Sequence, residues 1–184
     1  MAKAIKVVTG KVRFSYAHVF TPQASQEGGT PKYSVSIIIP KSDTETINKI
    51  NKAIEQAKEE NKAVWGGTVP KGLNGGLRDG DEEKDTTRYP EFANSYFINA
   101  NSFQKPGVVD AALEPIINKD DFYSGCYGRA SLTFYPYDGK SKGIACGLGN
   151  LQKLEDGEKL GGGASAAADF AVWSWKTFQL NSQK

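Results

Sequence analysis

Between Tyr123 and Leu151 three residue types recur at a spacing that could do binding chemistry: an arginine, several tyrosines and a row of glycines. Ala130, Leu132 and Phe134 alternate with Arg129, Ser131, Thr133 and Tyr135, the period of two expected of a strand with one buried face. Asp138-Gly139 supplies a turn. On the return arm Ile144, Cys146 and Leu148 alternate with Gly143, Ala145, Gly147 and Gly149, so the second face of this hairpin carries almost no side chain. Glycine inside a strand marks a bulge, a barrel corner or close approach by a ligand or another backbone. Beside that bare track Tyr127, Tyr135 and Tyr137 could stack on planar bases, while Arg129 could pair with phosphate. The same residues also suit a plain curved barrel hairpin with tyrosines half buried at its rim.

Other candidates for the same chemistry lie upstream. Lys11 and Arg13 alternate with Val12 and Phe14, and Lys32 opens a β-prone segment in which Tyr33, Val35, Ile37 and Ile39 face one way. Farther on, Phe97, Asn99, Asn101 and Phe103 share one face of a strand, a mixture suited to base stacking, with the alternative that Phe97 packs under an acidic loop. The net charge is only +2, which argues against a uniformly basic protein that coats duplexes. Its distribution is uneven: residues 1–41 hold six Lys and Arg against Glu27 alone, whereas residues 79–91 hold six acids against Lys84 and Arg88. The first region is the candidate anion-binding surface, and Asp79 to Asp85 reads as an exposed loop that repels nucleic acid and confines it to the basic face.

Several classes of chemistry lack their residues. A nucleophile triad needs a base, and the sole histidine, His18, reads as a rim residue. Two thiols and one imidazole are thin material for zinc. The acids at Asp79, Asp81, Glu82 and Glu83 lack calcium-loop spacing, so no metal or other cofactor is expected. Gly139-Lys140-Ser141 is not a phosphate loop, because the first glycine of that spacing would fall at Phe134. No catalytic residue is assigned.

The elements that must position these residues are mostly strands. Short alternating runs, 20 glycines and 11% aromatic residues indicate a mainly β architecture. Strands are read on either side of a Thr9-Gly10 hinge, with Tyr16 expected on the core side, and again over residues 32–40 and 95–103. One helix is clear. Ser42-Asp43-Thr44-Glu45 matches a capping box with Ser42 as the cap, and Ile47, Ile50, Ile54 and Ala57 form a core stripe ending near Asn61. Residues 65–94 are too long for a structureless connection and read as functional or ordered by extra turns. We expect one binding domain over residues 1–163, then a linker over 164–168 and a tail or last strand up to residue 184. The opening residues lack a long apolar segment, which leads to the expectation of an intracellular protein with reduced Cys126 and Cys146.

At Pro31-Lys-Tyr-Ser-Val-Ser-Ile-Ile-Ile-Pro-Lys-Ser-Asp43, Leu77-Arg-Asp-Gly-Asp81, Tyr123 to Asp138, and Lys142-Gly-Ile-Ala-Cys-Gly-Leu-Gly-Asn-Leu-Gln-Lys-Leu154, the chain resembles the bacteriophage single-stranded DNA-binding proteins, a family long catalogued as a domain of unknown function. The similarity spans most of residues 9–170. The resemblance implies an OB-fold, a five-stranded Greek-key barrel, here with one α-helix and long inserted loops. It also implies sequence-tolerant coating of single strands during phage replication, recombination or repair in the cytoplasm of the infected host, with phage or host replication proteins as further partners and no membrane. In that reading Lys11, Arg13, Lys32 and Arg129 meet phosphates, and Phe97, Tyr127, Tyr135 and Tyr137 stack on bases. Related phage proteins often end in an acidic tail; Gln179 to Lys184 hold no acid. A rival reading is a virion or adaptor β-barrel that binds protein through Trp173 and Trp175, and a third is a metal-dependent nuclease using the acidic loop.

Overall fold

The computed structural model describes residues 2–161, 169–170 and 172–173. The strands are β1 (Ile5–Val8), β2 (Val12–Gln23), β3 (Lys32–Pro40), β4 (Arg78–Asp79), β5 (Ser95–Ser102), β6 (Val108–Val109), β7 (Tyr127–Asp138) and β8 (Lys142–Glu155). Helix α1 (Thr44–Glu60) follows β3, and the single-turn α2 (Gly80–Glu83) follows β4. Five strands close a ring. β2 runs antiparallel to β3, β3 to β5, β8 to β7 and β7 back to β2, while β5 meets β8 in parallel at Asn101 and Gly147. This order is that of an OB-fold barrel. The Tyr127–Asp138 and Lys142–Glu155 arms form the hairpin read from the sequence, with Ala130, Leu132, Phe134, Ile144, Cys146 and Leu148 in the core.

Ring closure depends on the break between β1 and β2. β7 pairs with β1 through Ile5–Phe134 to Val8–Ser131, and then with β2 through Val12–Gly128 and Arg13–Tyr127. Between the two pairings Thr9 is fully buried. Its N–H donates to the Ala130 carbonyl at 3.0 Å, and its hydroxyl accepts from the Ala130 N–H at 3.0 Å while donating to the Gly10 carbonyl at 2.8 Å. A side chain thus supplies what a strand would have supplied, and among the described residues no buried side-chain polar atom is left without a partner. Gly10 donates its N–H to the Thr46 hydroxyl at 2.9 Å, which docks the first turn of α1 on the hinge.

The helix cap differs from expectation by one residue. Asp43 is the N-cap, accepting from the Thr46 N–H at 3.1 Å. The preceding turn is closed by the Asp43 N–H on the Pro40 carbonyl at 2.9 Å, which leaves Ser42 within the turn. Glu45 pairs forward with Lys49 at 3.2 Å instead of reaching back. The apolar stripe is as read: Ile50, Ile54 and Ala57 are buried, joined by Ala53 and Thr46, with Ile47 packed at the edge. Cys126 and Cys146 are free, buried thiols, and burial pushes Cys146 up to about 12.

Residues 65–94 are ordered. They hold β4, α2 and a 3-10 turn at Pro90–Phe92, and β4 adds to β5 through Arg78–Phe97 and Asp79–Tyr96. This insertion decides between the two readings of Phe97 in favour of packing under the acidic loop, and removes Phe97 from the stacking residues. Its strand face is the one expected, but Phe92 packs edge-on to it at 5.2 Å between centroids, and with Ile38 and Tyr89 they form a second small core. Phe97 is 1% exposed and has no face left to stack on a base.

Replacing Thr9 by valine preserves shape but removes both hydroxyl bonds inside the hinge. The expected cost is about 1–3 kcal/mol, read as a lower denaturant midpoint at unchanged slope. An unaltered midpoint would show that closure does not rest on this hydroxyl.

Candidate nucleic-acid interface

Three depressions on the outer face of β2, β3 and β5 run into one another. The first is lined by Tyr16, His18, Ser34, Ser36, Lys84 and Asn99. It shares His18 and Ser34 with a second under the 24–30 loop, which in turn shares Lys32, Asn101 and Phe103 with a third that reaches Thr133, Tyr135 and Gly147. Among the described residues no carboxylate lines any of the three. The result is a groove across the strand face and loop by which OB-folds take oligonucleotides, with aromatic rings at both ends and amides and hydroxyls between.

Each ring is held by a local device. At one end β2 carries a bulge: Ser15 pairs with Ser36 and His18 with Ser34, so Tyr16 and Ala17 together oppose Val35. Tyr16 takes a left-handed φ of +46°, a strained conformation for a bulky residue, and its ring is turned outward to 47% exposure. The strict alternation that put Tyr16 with Val12 and Phe14 in the core fails at this extra residue. Partial burial, then the neighbouring Tyr89 and Glu91, holds its hydroxyl above the usual tyrosine value. Lys84 reaches over from the insertion, its Nζ 5.5 Å from the Tyr16 ring, 5.0 Å from Phe92 and 5.3 Å from Phe97. Sequence reasoning counted this lysine into an acidic loop and so missed it.

At the other end the bare glycines of β8 are filled from within the chain. A Cβ on Gly147 would lie 2.5 Å from Thr133 Oγ1 and 3.2 Å from Tyr135 Cε1; on Gly143 it would lie 2.6 Å from the Tyr137 hydroxyl. The tyrosines therefore lean on glycine backbone, Tyr135 with 36% of its surface still open. Lys32 places its Nζ 4.7 Å over the ring of Phe103, which is 64% exposed. Tyr137 shares the face of Tyr135, two residues on, but lines none of the three depressions.

The remaining expected residues are elsewhere. Lys11 and Arg13 straddle Tyr127, at 5.7 and 5.2 Å from its centroid, and both are engaged. Lys11 pairs with Glu155 at 2.9 Å, a hydrogen bond that raises its pKa, and Arg13 donates to the carbonyls of Gly125 at 3.0 Å and Glu158 at 2.9 Å. These three side chains fasten the segment after β8 to the barrel. Arg129 donates through Nε to the Thr9 carbonyl at 3.0 Å and faces a cleft beside α1.

The acidic run, read as an exposed repulsive loop, is in part engaged: Asp79, Asp81 and Glu83 have cationic partners. Lys41 Nζ sits 2.9 Å from Asp79 and 2.8 Å from Asp81, and Arg78 pairs with Glu83 at 3.0 Å. Asp79 caps α2, and Asp81 also accepts from the Asn94 N–H at 2.9 Å. The Lys41 hydrogen bond, then that of Asn94, holds the Asp81 carboxyl below its usual range, while the two aspartates push Lys41 up. The run thereby locks the insertion over Phe97 and presents Lys84 to the groove. No cluster of metal-ligating residues occurs among the described residues.

A closed OB barrel with a carboxylate-free groove, flanked by stacking rings and cations, defines an oligonucleotide-binding module. The family model of the single-stranded DNA-binding protein of Enterobacter phage Enc34 matches residues 5–179, and the chain belongs to that family. The structure is similar to that of the Enc34 protein in complex with single-stranded DNA, at TM-score 0.70 and 28% identity, covering 86% of this chain and 89% of the other. It is also similar in fold to gp2.5, the single-stranded DNA-binding protein of bacteriophage T7, at TM-score 0.62 and 14% identity over 92% and 96% of the two chains. A protein described as putative protein p50 of Acyrthosiphon pisum secondary endosymbiont phage 1 is 30% identical over 90% of this chain and 91% of its own length.

The Lys41 lock sets a pH window. A depressed Asp81 contributes stability above its ordinary value of 3.8 that is lost as pH falls through the folded value; a raised Lys41 contributes below 10.5 what is lost as pH rises through its folded value. Lys41→Met should melt lower than the parent between about pH 4 and 10, with the gap closing in acid. A gap that is constant with pH would assign the loss to packing.

Proposed function

We propose that this chain coats single-stranded DNA without sequence preference, laying the strand along the groove from Tyr16 past Lys32 to Tyr135. The observation that carries the reading is the continuity of that groove together with the absence of any carboxylate along it among the described residues. Rings stack on any base, and cations neutralise any phosphate, so this lining is sequence-tolerant by its chemistry. Tyr16, Phe103 and Tyr135 are the platforms, with Tyr137 extending them at the hairpin tip. Lys32 and Lys84 meet phosphates, and Ser34, Ser36, Asn99 and Asn101 offer polar edges between them. Ser36 donates to Asn99 Oδ1 at 2.5 Å, which orients that amide. Phe97 acts beneath this surface as support for Lys84.

The role is binding without catalysis. The groove holds one histidine and no acid, so it offers no acid–base pair for a hydrolytic step. No helix among the described residues is long and apolar enough to cross a membrane. The host cytoplasm, where phage replication and recombination expose single strands, is the compartment in which this activity is used. The linker and tail assigned to residues 164–184 lie largely outside the described residues, Trp175 among them.

Titration with an oligothymidylate at two salt concentrations tests the reading. Tyr135→Ala should cost on the order of 1–3 kcal/mol with the dependence of log affinity on log salt unchanged. Lys32→Gln should lower the magnitude of that slope by roughly 0.7. Parental affinity in both folded variants would remove this end of the groove from the site. Failure of the parent to bind at low salt would favour an adaptor, and magnesium-dependent loss of the oligonucleotide a nuclease.

A further inference from the structure

A second basic surface lies outside the groove. Lys6 and Val8 of β1, Lys49, Lys52 and Gln56 of α1, and Arg129 of β7 line a cleft of about 350 Å³ between the helix and the barrel. Neither Lys6 nor Lys52 has an ion-pair partner among the described residues. Arg129 spends only its Nε on the Thr9 carbonyl, which leaves the rest of its donor fork uncommitted. The acids of α1 that contact cleft-lining residues are Glu45, exposed and on Lys49 at 3.2 Å, and Glu60, which Lys3 holds at 2.7 Å and Gln56 also contacts; Glu55, next to Gln56, is engaged by Lys58 at 2.7 Å. The cleft therefore carries a net positive charge supplied by three elements far apart in sequence.

Strand register joins this cleft to the groove. Lys6 of β1 stands directly opposite Thr133 of β7, and Val8 opposite Ser131, so Lys6 and Thr133 project from one face. Thr133 lines the Tyr135 end of the groove, and Lys6 lines the cleft. Arg129 and Tyr135 lie six residues apart on that same face, roughly 20 Å along the strand. Next to this path β8 offers Gly147 and Gly149, whose nearest neighbours are the short side chains of Thr133 and Ser131 and the edge of Tyr135.

We infer that the strand leaving the groove at Tyr135 crosses the low ground beside Thr133 and delivers its next phosphates to Lys6, Lys49, Lys52 and Arg129. The inference rests on the groove reading and extends it: the groove takes bases and phosphates, whereas the cleft, with no aromatic lining, takes phosphates alone. Binding energy gained in the cleft is accordingly salt-dependent and indifferent to base identity. Occupancy requires a strand long enough to reach round the barrel edge.

Oligothymidylates of increasing length, titrated at several salt concentrations against the parent and a Lys6→Gln, Lys49→Gln, Lys52→Gln variant of equal melting temperature, test this. The shortest binders, confined to the groove, should bind both proteins alike. With longer ones the parental salt slope should steepen by up to roughly 2, about 0.7 for each lysine, while the variant stays at the short-strand slope. Glu45→Gln should tighten only the long strands. Identical behaviour of parent and variant at all lengths would overturn the exit path, as would equal losses at the shortest and longest lengths. Two short strands bound per chain, one lost in the variant, would instead make the cleft a separate site. If the parent binds no length at all, the groove reading itself fails.

Discussion

A five-stranded barrel closes only if every strand is paired along both edges, and β7 meets that condition with β8 on one side and by sharing its other edge between β1 and β2. That sharing is possible because the chain breaks direction at Thr9 and Gly10, where a buried hydroxyl takes over the hydrogen bonds that a continuous strand could not make. The hinge also receives the first turn of α1 through Thr46 and the Arg129 side chain through the Thr9 carbonyl. Closure, helix docking and the placement of a surface cation are thus one constraint. Moving the hinge by a residue would exchange inward and outward positions along β1 or β2, and Lys6 would turn toward the core.

The groove inherits its shape from irregularities in otherwise regular strands. A bulge in β2 turns Tyr16 outward, glycines in β8 let Tyr135 and Tyr137 lie close to the sheet, and an insertion between α1 and β5 covers one end of the polar face. Each device trades local regularity for the position of a ring or a charge. Among the described residues lining the groove, Tyr16 is the one non-glycine at positive φ, a conformation bulky residues rarely hold without surrounding structure to enforce it.

Much of this was legible in the sequence because it follows from period and local chemistry. The hairpin, its inward Ala130, Leu132 and Phe134, the stripe of α1 and the bare face of β8 need only alternation and helical spacing. What escaped depends on distant partners or on one extra residue. Alternation correctly put Phe97 opposite Ile98, but only the folded insertion decides that solvent never reaches it. Counting charges made Asp79 to Asp85 repulsive, whereas Lys41, some forty residues earlier, neutralises its first members. Arg13 and Lys11 read as free cations because Glu155 and the carbonyl of Glu158 come from the far end of the chain. The family resemblance read from separated motifs reached the correct barrel, but could not sort the cations by whether each was already engaged.

Between α1 and β5 the chain does two things: Trp65, Leu73 and Asn74 tie its first part to the main core and to β8, whereas residues 78–94 rest on the outside of the barrel through the short β4 ladder, the Phe92–Phe97 contact and the twin carboxylates on Lys41. This second part lies outside the ring of five strands. Such a segment behaves as a cartridge seated on a finished frame, able to lengthen, shorten or change composition over phage generations while the register beneath it stays fixed. Because it also brings Lys84 to one end of the groove, drift within the cartridge can alter how a strand enters while the barrel that grips it remains the same.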